Sequence, residues 1–223
     1  LRGVELLQPP TGPTSNPVLD PPYYDGKPGS PLAQVRARST AVGFYPTTDL
    51  EWLLEWARDP SLSQTEGNLR VALITGPGGA GKTRLAAELC ARMAADGWFT
   101  GFLPRKSTKE DRQWLTRLPS HQVIVIDYPE ALATEDLAEV LQELSAATSP
   151  TVLVLTARET GKWWTDAVTA IGNARVPASV NTPYAVPLKQ SIPNQLRLFE
   201  RAARALGNGS APTTTFVQDQ KWT

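Results

Sequence analysis

The stretch "ITGPGGAGKTRLA", Ile74 to Ala86, brings together the residue types that grip a phosphate. Gly76, Gly78, Gly79 and Gly81, with Pro77 and Ala80 between them, let backbone N–H groups turn inward on an anion through conformations that side chains forbid. Lys82 and Thr83 complete the pattern GxxxxGK[ST], in which the lysine reaches the β and γ phosphates and the hydroxyl ligates magnesium. The apolar run "RVALIT" ahead of the loop and the amphipathic "KTRLAAELCARMAA" behind it are the strand and helix such a loop needs. The positive end of that helix adds ~0.3 to 2 kcal/mol toward an anion. Arg84 follows directly and is grouped with the loop as an anion contact, although Glu88 one turn on offers it a solvated ion pair.

A triphosphate site needs a second anchor for the metal, an acid at the end of a neighbouring buried strand. "VIVIDYPE" supplies Asp127 after four β-branched residues, where a carboxylate is costly unless it faces a cation or a crevice. A helix N-cap is the alternative role for Asp127. Glu130 either polarises an attacking water as general base or is a solvent-facing loop acid, and both readings stay open. "TVLVLTAR" ends in Thr156 and Arg158 at the same expected edge, which makes Arg158 a candidate for sensing or stabilising γ-phosphate charge. His121 has no serine or cysteine partner in view, Cys90 falls on the buried stripe of its helix, and Trp163 and Trp164 read as packing residues.

The elements that must position these groups follow from apolar periodicity. Strands are expected at Arg70 to Thr75, Trp98 to Leu103, Val123 to Asp127, Thr151 to Thr156 and Tyr184 to Leu188. Helices are expected in "TDLEWLLEWARD" with Thr48 as N-cap, in "KTRLAAELCARMAA", "KEDRQWLTRL" and "TEDLAEVLQELSAA", and in "IPNQLRLFERAARALG" ending at Gly207. Between Arg158 and that last helix the signal weakens. Alternating strands and helices imply an α/β fold with a parallel sheet covered on both faces. Residues 1–40, with "QPPTGPTSNP" and "DPPYYDGKPGSP", read as an extended, largely disordered Pro-rich arm; 41–190 read as the core domain, and 191–223 as the start of a helical region cut short.

Composition removes several function classes. Lys plus Arg equals Asp plus Glu at 22 each, so no global field favours nucleic acid or an anionic membrane. One cysteine and one histidine supply neither a disulfide nor a four-ligand zinc site, which fits a reducing, cytoplasmic setting. Apolar runs such as "VLVL" fall far short of the ~18 residues that a membrane span takes. The chain begins at Leu1 and its only methionine is Met93, as expected of a fragment or of a start codon translated literally.

Neither a DxxG after Asp127 nor an N-K-x-D occurs, so guanine recognition is unsupported. A small-molecule kinase with the same loop and a short lid remains an alternative, as does a non-catalytic interaction fragment. In order, "LITGPGGAGKTRLAAELC", "GWFTGFL", "VIVIDYPE", "VLVLTARETGKWW" and "LRLFERAARALG" resemble the nucleotide-binding domain of bacterial STAND NTPases, a P-loop class related to AAA+ and NACHT proteins. That resemblance covers about Val42 to Gly207 and implies a sheet order of 5-1-4-3-2. It implies Gly76 to Thr83 as the Walker A loop, Thr83 and Asp127 as the magnesium ligands, with Asp127 the Walker B acid, and Arg158 as a sensor. The implied activity is an ATP-dependent signalling switch whose nucleotide is clamped by helical and winged-helix regions and read by protein partners or downstream domains. "GFYPTTDLEW" departs from the "GR" that relatives often carry, and Tyr128 stands where many place a second acid. Hydrolysis is then expected either to rest on Glu130 or to be slow, as suits a switch.

Overall fold

The computed structural model describes residues 18–24, 36–40, 43, 44, 46–59, 68–171, 180 and 182–189. Its centre is a five-stranded sheet built from β1 (Leu69–Thr75), β2 (Phe99–Phe102), β3 (Gln122–Asp127), β4 (Thr151–Ala157) and β5 (Tyr184–Pro187). All pairs are parallel and the spatial order is β2-β3-β4-β1-β5. Read from the other edge, this is the expected order.

The strands alternate because both faces are buried. Val71, Leu73, Ile124, Ile126, Leu153 and Leu155 point to one face, and Ala72, Ile74, Val123, Val125, Val152 and Val154 to the other. The second face receives α1 (Thr48–Arg58) through Leu50, Leu53 and Ala57, and α2 (Lys82–Ala95) through Leu85, Ala86, Leu89, Cys90 and Met93. The first face receives Leu115 of α3 (Lys109–Arg117), the Leu137, Val140, Leu141, Leu144 stripe of α4 (Thr134–Leu144), and Trp164 with Ala167 of α5 (Lys162–Ala170). Burial on this scale raises the Cys90 thiol to about 12, so it stays a neutral core group at physiological pH.

Local chemistry sets the helix ends. The N-cap of α1 is Thr47, one residue earlier than expected, and its hydroxyl accepts from the Leu50 amide at 3.4 Å. At the other end, buried Arg70 of β1 donates to the carbonyls of Trp56, Ala57 and Asp59, tying the last turn of α1 to the sheet. A capping box of Thr108 and Asp111 starts α3. The α5 helix lies where the periodic signal weakened. It buries only Trp164 and Ala167 and is supported by a Lys162 to Asp166 pair at 2.7 Å, too little apolar pattern to read in sequence. The helix expected in "IPNQLRLFERAARALG" lies outside the described residues.

Two pieces of the Pro-rich segment are described, and they are packed. Asp20 exchanges backbone hydrogen bonds with Phe102 of β2 at 2.8 and 2.9 Å, and Leu19 is 1% exposed within the core. The fit requires Gly101: a Cβ there would stand 2.6 Å from the Asp20 carbonyl and 2.8 Å from Leu19. Arg38 lies over the rings of Tyr24 and Phe102, at 4.4 and 4.1 Å, and donates to the Pro21 and Pro22 carbonyls. These residues are a strap along the outer strand, which aperiodic sequence does not reveal. Leu19→Ala should therefore lower unfolding free energy by about 2–4 kcal/mol in urea titrations, the range for a buried leucine; a change below about 0.5 kcal/mol, as expected at a surface position, would mean the strap does not pack in solution.

Candidate functional site

Parallel pairing carries the C-terminal ends of β1, β3 and β4 to one edge, and the residues singled out for phosphate chemistry gather there. The turn from β1 into α2 runs through Gly79 and Gly81 at φ 77° and 95°, with Gly81 as the N-cap. Gly76 is held at φ 151° by its N–H to the Arg158 carbonyl at 3.0 Å. Acids stand in the first turns of α1, α3 and α4, but α2 has none there and opens instead on Lys82, Thr83 and Arg84. Cations at the positive end of a helix oppose its dipole, an arrangement suited to an anion.

Lys82 is 5% exposed, and its Nζ donates to the carbonyls of Gly76 at 2.7 Å and Pro77 at 2.9 Å. A buried ammonium held by two neutral carbonyl oxygens keeps a third proton for a stronger acceptor. The next residue, Thr83, donates from Oγ1 to Asp127 at 3.1 Å to Oδ1 and 3.2 Å to Oδ2. Hydroxyl and carboxylate thus meet from two separate elements as hard oxygen donors, the set a magnesium ion takes. The fully buried Thr156 of β4 donates to the same carboxylate, at Oδ1, from its register position opposite Asp127. Sequence reasoning placed Thr156 at this edge but gave it no part; a hydroxyl directly after the apolar run Val152 to Leu155 was the available signal.

Immediately after Asp127 the chain turns sharply. Tyr128 adopts the left-handed conformation at φ 57° and is 40% exposed, and Pro129–Ala131 form one 3-10 turn. The Tyr128 amide donates to the Thr156 carbonyl at 3.0 Å. Glu130 comes back to the site through Oε1, which accepts from the Arg158 amide at 3.3 Å, while Oε2 is shielded from solvent without a hydrogen-bond partner. Glu130 therefore faces the edge of the sheet rather than open water. Arg158 has an exposed side chain and contributes its backbone on both sides, N–H to Glu130 and C=O to Gly76.

Arg84 points elsewhere. Its guanidinium donates to the carbonyls of Ala37, at 3.1 Å, and Ser39, and lies 5.0 Å over the Tyr23 ring. Glu88 accepts from the Tyr23 hydroxyl at 2.8 Å and from Arg92 at 2.9 Å. Burial beside Glu88 pushes the Tyr23 hydroxyl well above its ordinary range, so it remains a donor. The solvated Arg84 to Glu88 pair expected from spacing is thus a packed contact with the strap. Partners so far upstream leave no trace in local sequence.

A glycine-rich turn at the edge of a five-stranded parallel sheet in this order is the P-loop NTPase fold. Residues 54–170 match the family described as Novel STAND NTPase 5, and the chain belongs to that family. Among solved structures, a DNA replication initiation factor is similar at 11% identity and a TM-score of 0.51, covering 73% of this chain and 53% of its own. Cdc6p from Pyrobaculum aerophilum is similar at 17% identity and a TM-score of 0.46, covering 70% of this chain and 48% of its own. The chain therefore spans about half the length of these structures. The first likeness supports the fold; no curated protein matches the sequence.

The geometry at Gly76 makes a direct test of the loop. An added Cβ would sit 2.7 Å from the Leu188 carbonyl oxygen, which is itself fixed by the Leu188 amide donating to Thr75 at 2.7 Å. Gly76→Ala should therefore cost about 1–3 kcal/mol in chemical unfolding through backbone strain. A stability equal to that of the unaltered protein would contradict the turn described.

Proposed function

We propose that this domain binds ATP with magnesium and hydrolyses it slowly, as the nucleotide-dependent switch of a larger signalling protein. The observation that carries the reading is the meeting of Thr83 and Asp127 beside the buried Lys82 ammonium. Thr83 Oγ1 and the Asp127 carboxylate would hold the magnesium ion, which when bound supplies charge neutralisation for the phosphate oxygens. Lys82 would exchange a neutral carbonyl for β- and γ-phosphate oxygens, and backbone N–H groups at the start of α2 would complete the cradle from Gly76 to Thr83. Gly78 and Ala80 contribute backbone only, and Pro77 its carbonyl.

Glu130 is the group assigned to the attacking water. A carboxylate oxygen shielded from solvent and without a partner accepts a proton as the water oxygen bonds to the γ-phosphorus and the bond to ADP breaks. Its anchor is one 3.3 Å bond, and Tyr128 occupies the place next to Asp127, both consistent with slow turnover. Arg158 is exposed at the same edge and is assigned to sensing γ-phosphate charge. Slow hydrolysis suits a switch, in which bound nucleotide must persist long enough for a protein partner or a further domain to respond. Neither nucleic acid nor a membrane is assigned as partner, and the setting is cytoplasmic. Among the described residues no helix is long and apolar enough to cross a membrane.

Thermal unfolding in ATP and magnesium tests binding. Saturation at 100 times Kd should stabilise the protein by ~2.7 kcal/mol, and Lys82→Ala should remove that gain. Phosphate release by Glu130→Gln should fall by about 100-fold or more with nucleotide binding retained. No stabilisation at millimolar ATP would favour a non-catalytic interaction module, and ATP consumption driven by an added phosphate acceptor would favour a small-molecule kinase.

A further inference from the structure

We infer that Thr156 is a positioning residue for the metal-binding carboxylate, fixing which oxygen of Asp127 is left to face a cation beside Thr83. The inference rests on the nucleotide reading proposed above. Thr156 is fully buried at the end of β4, following the apolar Val152, Leu153, Val154 and Leu155. A buried hydroxyl needs a partner, and this one has a charged one in Asp127 Oδ1.

Asp127 takes hydrogen bonds from two hydroxyls, and they are not equivalent. The single proton of Thr83 is shared between Oδ1 and Oδ2, at 3.1 and 3.2 Å, whereas Thr156 engages Oδ1 alone. A Thr83 oxygen that ligates a cation does so through a lone pair and can keep its O–H toward the carboxylate, but one proton shared between two oxygens does not choose between them. The terminal torsion of an aspartate is broad, so a carboxylate held by that shared proton alone can turn unless something else fixes it. Thr156 is held independently. It pairs with Asp127 in the β3 to β4 register, and its carbonyl accepts from the Tyr128 amide at 3.0 Å. Its bond to Oδ1 leaves Oδ2 beside Thr83, where the second oxygen donor is needed.

Groups that orient a metal ligand in this way typically carry 10–100-fold in metal affinity. The experiment follows a fluorescent ATP analogue retained by the protein as magnesium is titrated, with EDTA giving the metal-free baseline. Thr156→Val should raise the magnesium needed for half-maximal retention by about 10-fold or more, with binding in EDTA unchanged. Thr156→Ser keeps the hydroxyl and should return the requirement to within about 3-fold of the unaltered protein. Circular dichroism without nucleotide checks folding, and if the valine variant is unfolded, Thr156→Ala against Thr156→Ser decides by the same criterion. An unchanged magnesium requirement on losing the hydroxyl, or a serine variant as impaired as valine, overturns the inference while leaving nucleotide binding standing. Unaltered protein that retains no nucleotide with or without magnesium overturns the nucleotide reading, and the inference with it.

Discussion

The parallel pairing of β3 with β4 starts with Gln122 opposite Thr151 and ends with Asp127 opposite Thr156. A slip of one residue would send Asp127 to the other face and exchange Ile124 and Ile126 for Val123 and Val125 in the two halves of the core. The alternation that fills both faces of the sheet therefore also fixes where the carboxylate points. Two residues beyond that register, Arg158 receives Gly76 on its carbonyl and gives its amide to Glu130. Phosphate loop and acidic turn thus share an anchor in the strand between them, and neither can shift without loading the other.

The same arrangement bears on the proposed switch. Lys82 and Thr83 already have partners, the carbonyls of Gly76 and Pro77 and the carboxylate of Asp127. Under the proposed function a nucleotide would draw on the third Lys82 proton and compete with those bonds. Its binding is then a choice between two hydrogen-bonded arrangements of the loop, and only the difference in their free energies is available to move anything downstream.

Much of this was legible in sequence because it rests on local pattern. The "KTRLAAELCARMAA" helix spans the expected Lys82 to Ala95, and the buried runs of β1, β3 and β4 lie within a residue of expectation. Parallel strands buried on both faces are continuous apolar runs, and such runs are hard to miss. Asp127 was conspicuous because a carboxylate ending such a run needs a reason. What stayed hidden depends on distant partners or on weak pattern. Arg84 spaced like an i, i+4 pair turns to Ala37 and Ser39, and Leu19 sits among prolines that suggest no core. The turn that brings Glu130 inward depends on Tyr128 at a positive φ, a conformation no local rule assigns to a tyrosine.

Strap and sheet meet at the margin of β2, where Asp20 occupies the backbone groups of Phe102 and Leu19 lies against Gly101. A margin strand with free N–H and C=O groups is a template for another chain, and proteins commonly blunt it with charge, proline or a covering segment. Here the cover combines all three, with Pro21 and Pro22 following Asp20 and Arg38 lying over Phe102. Loss of the strap to a protease would open that margin, and the first effect expected is association between copies through β2, with the phosphate loop at the far side of β3 and β4 still intact.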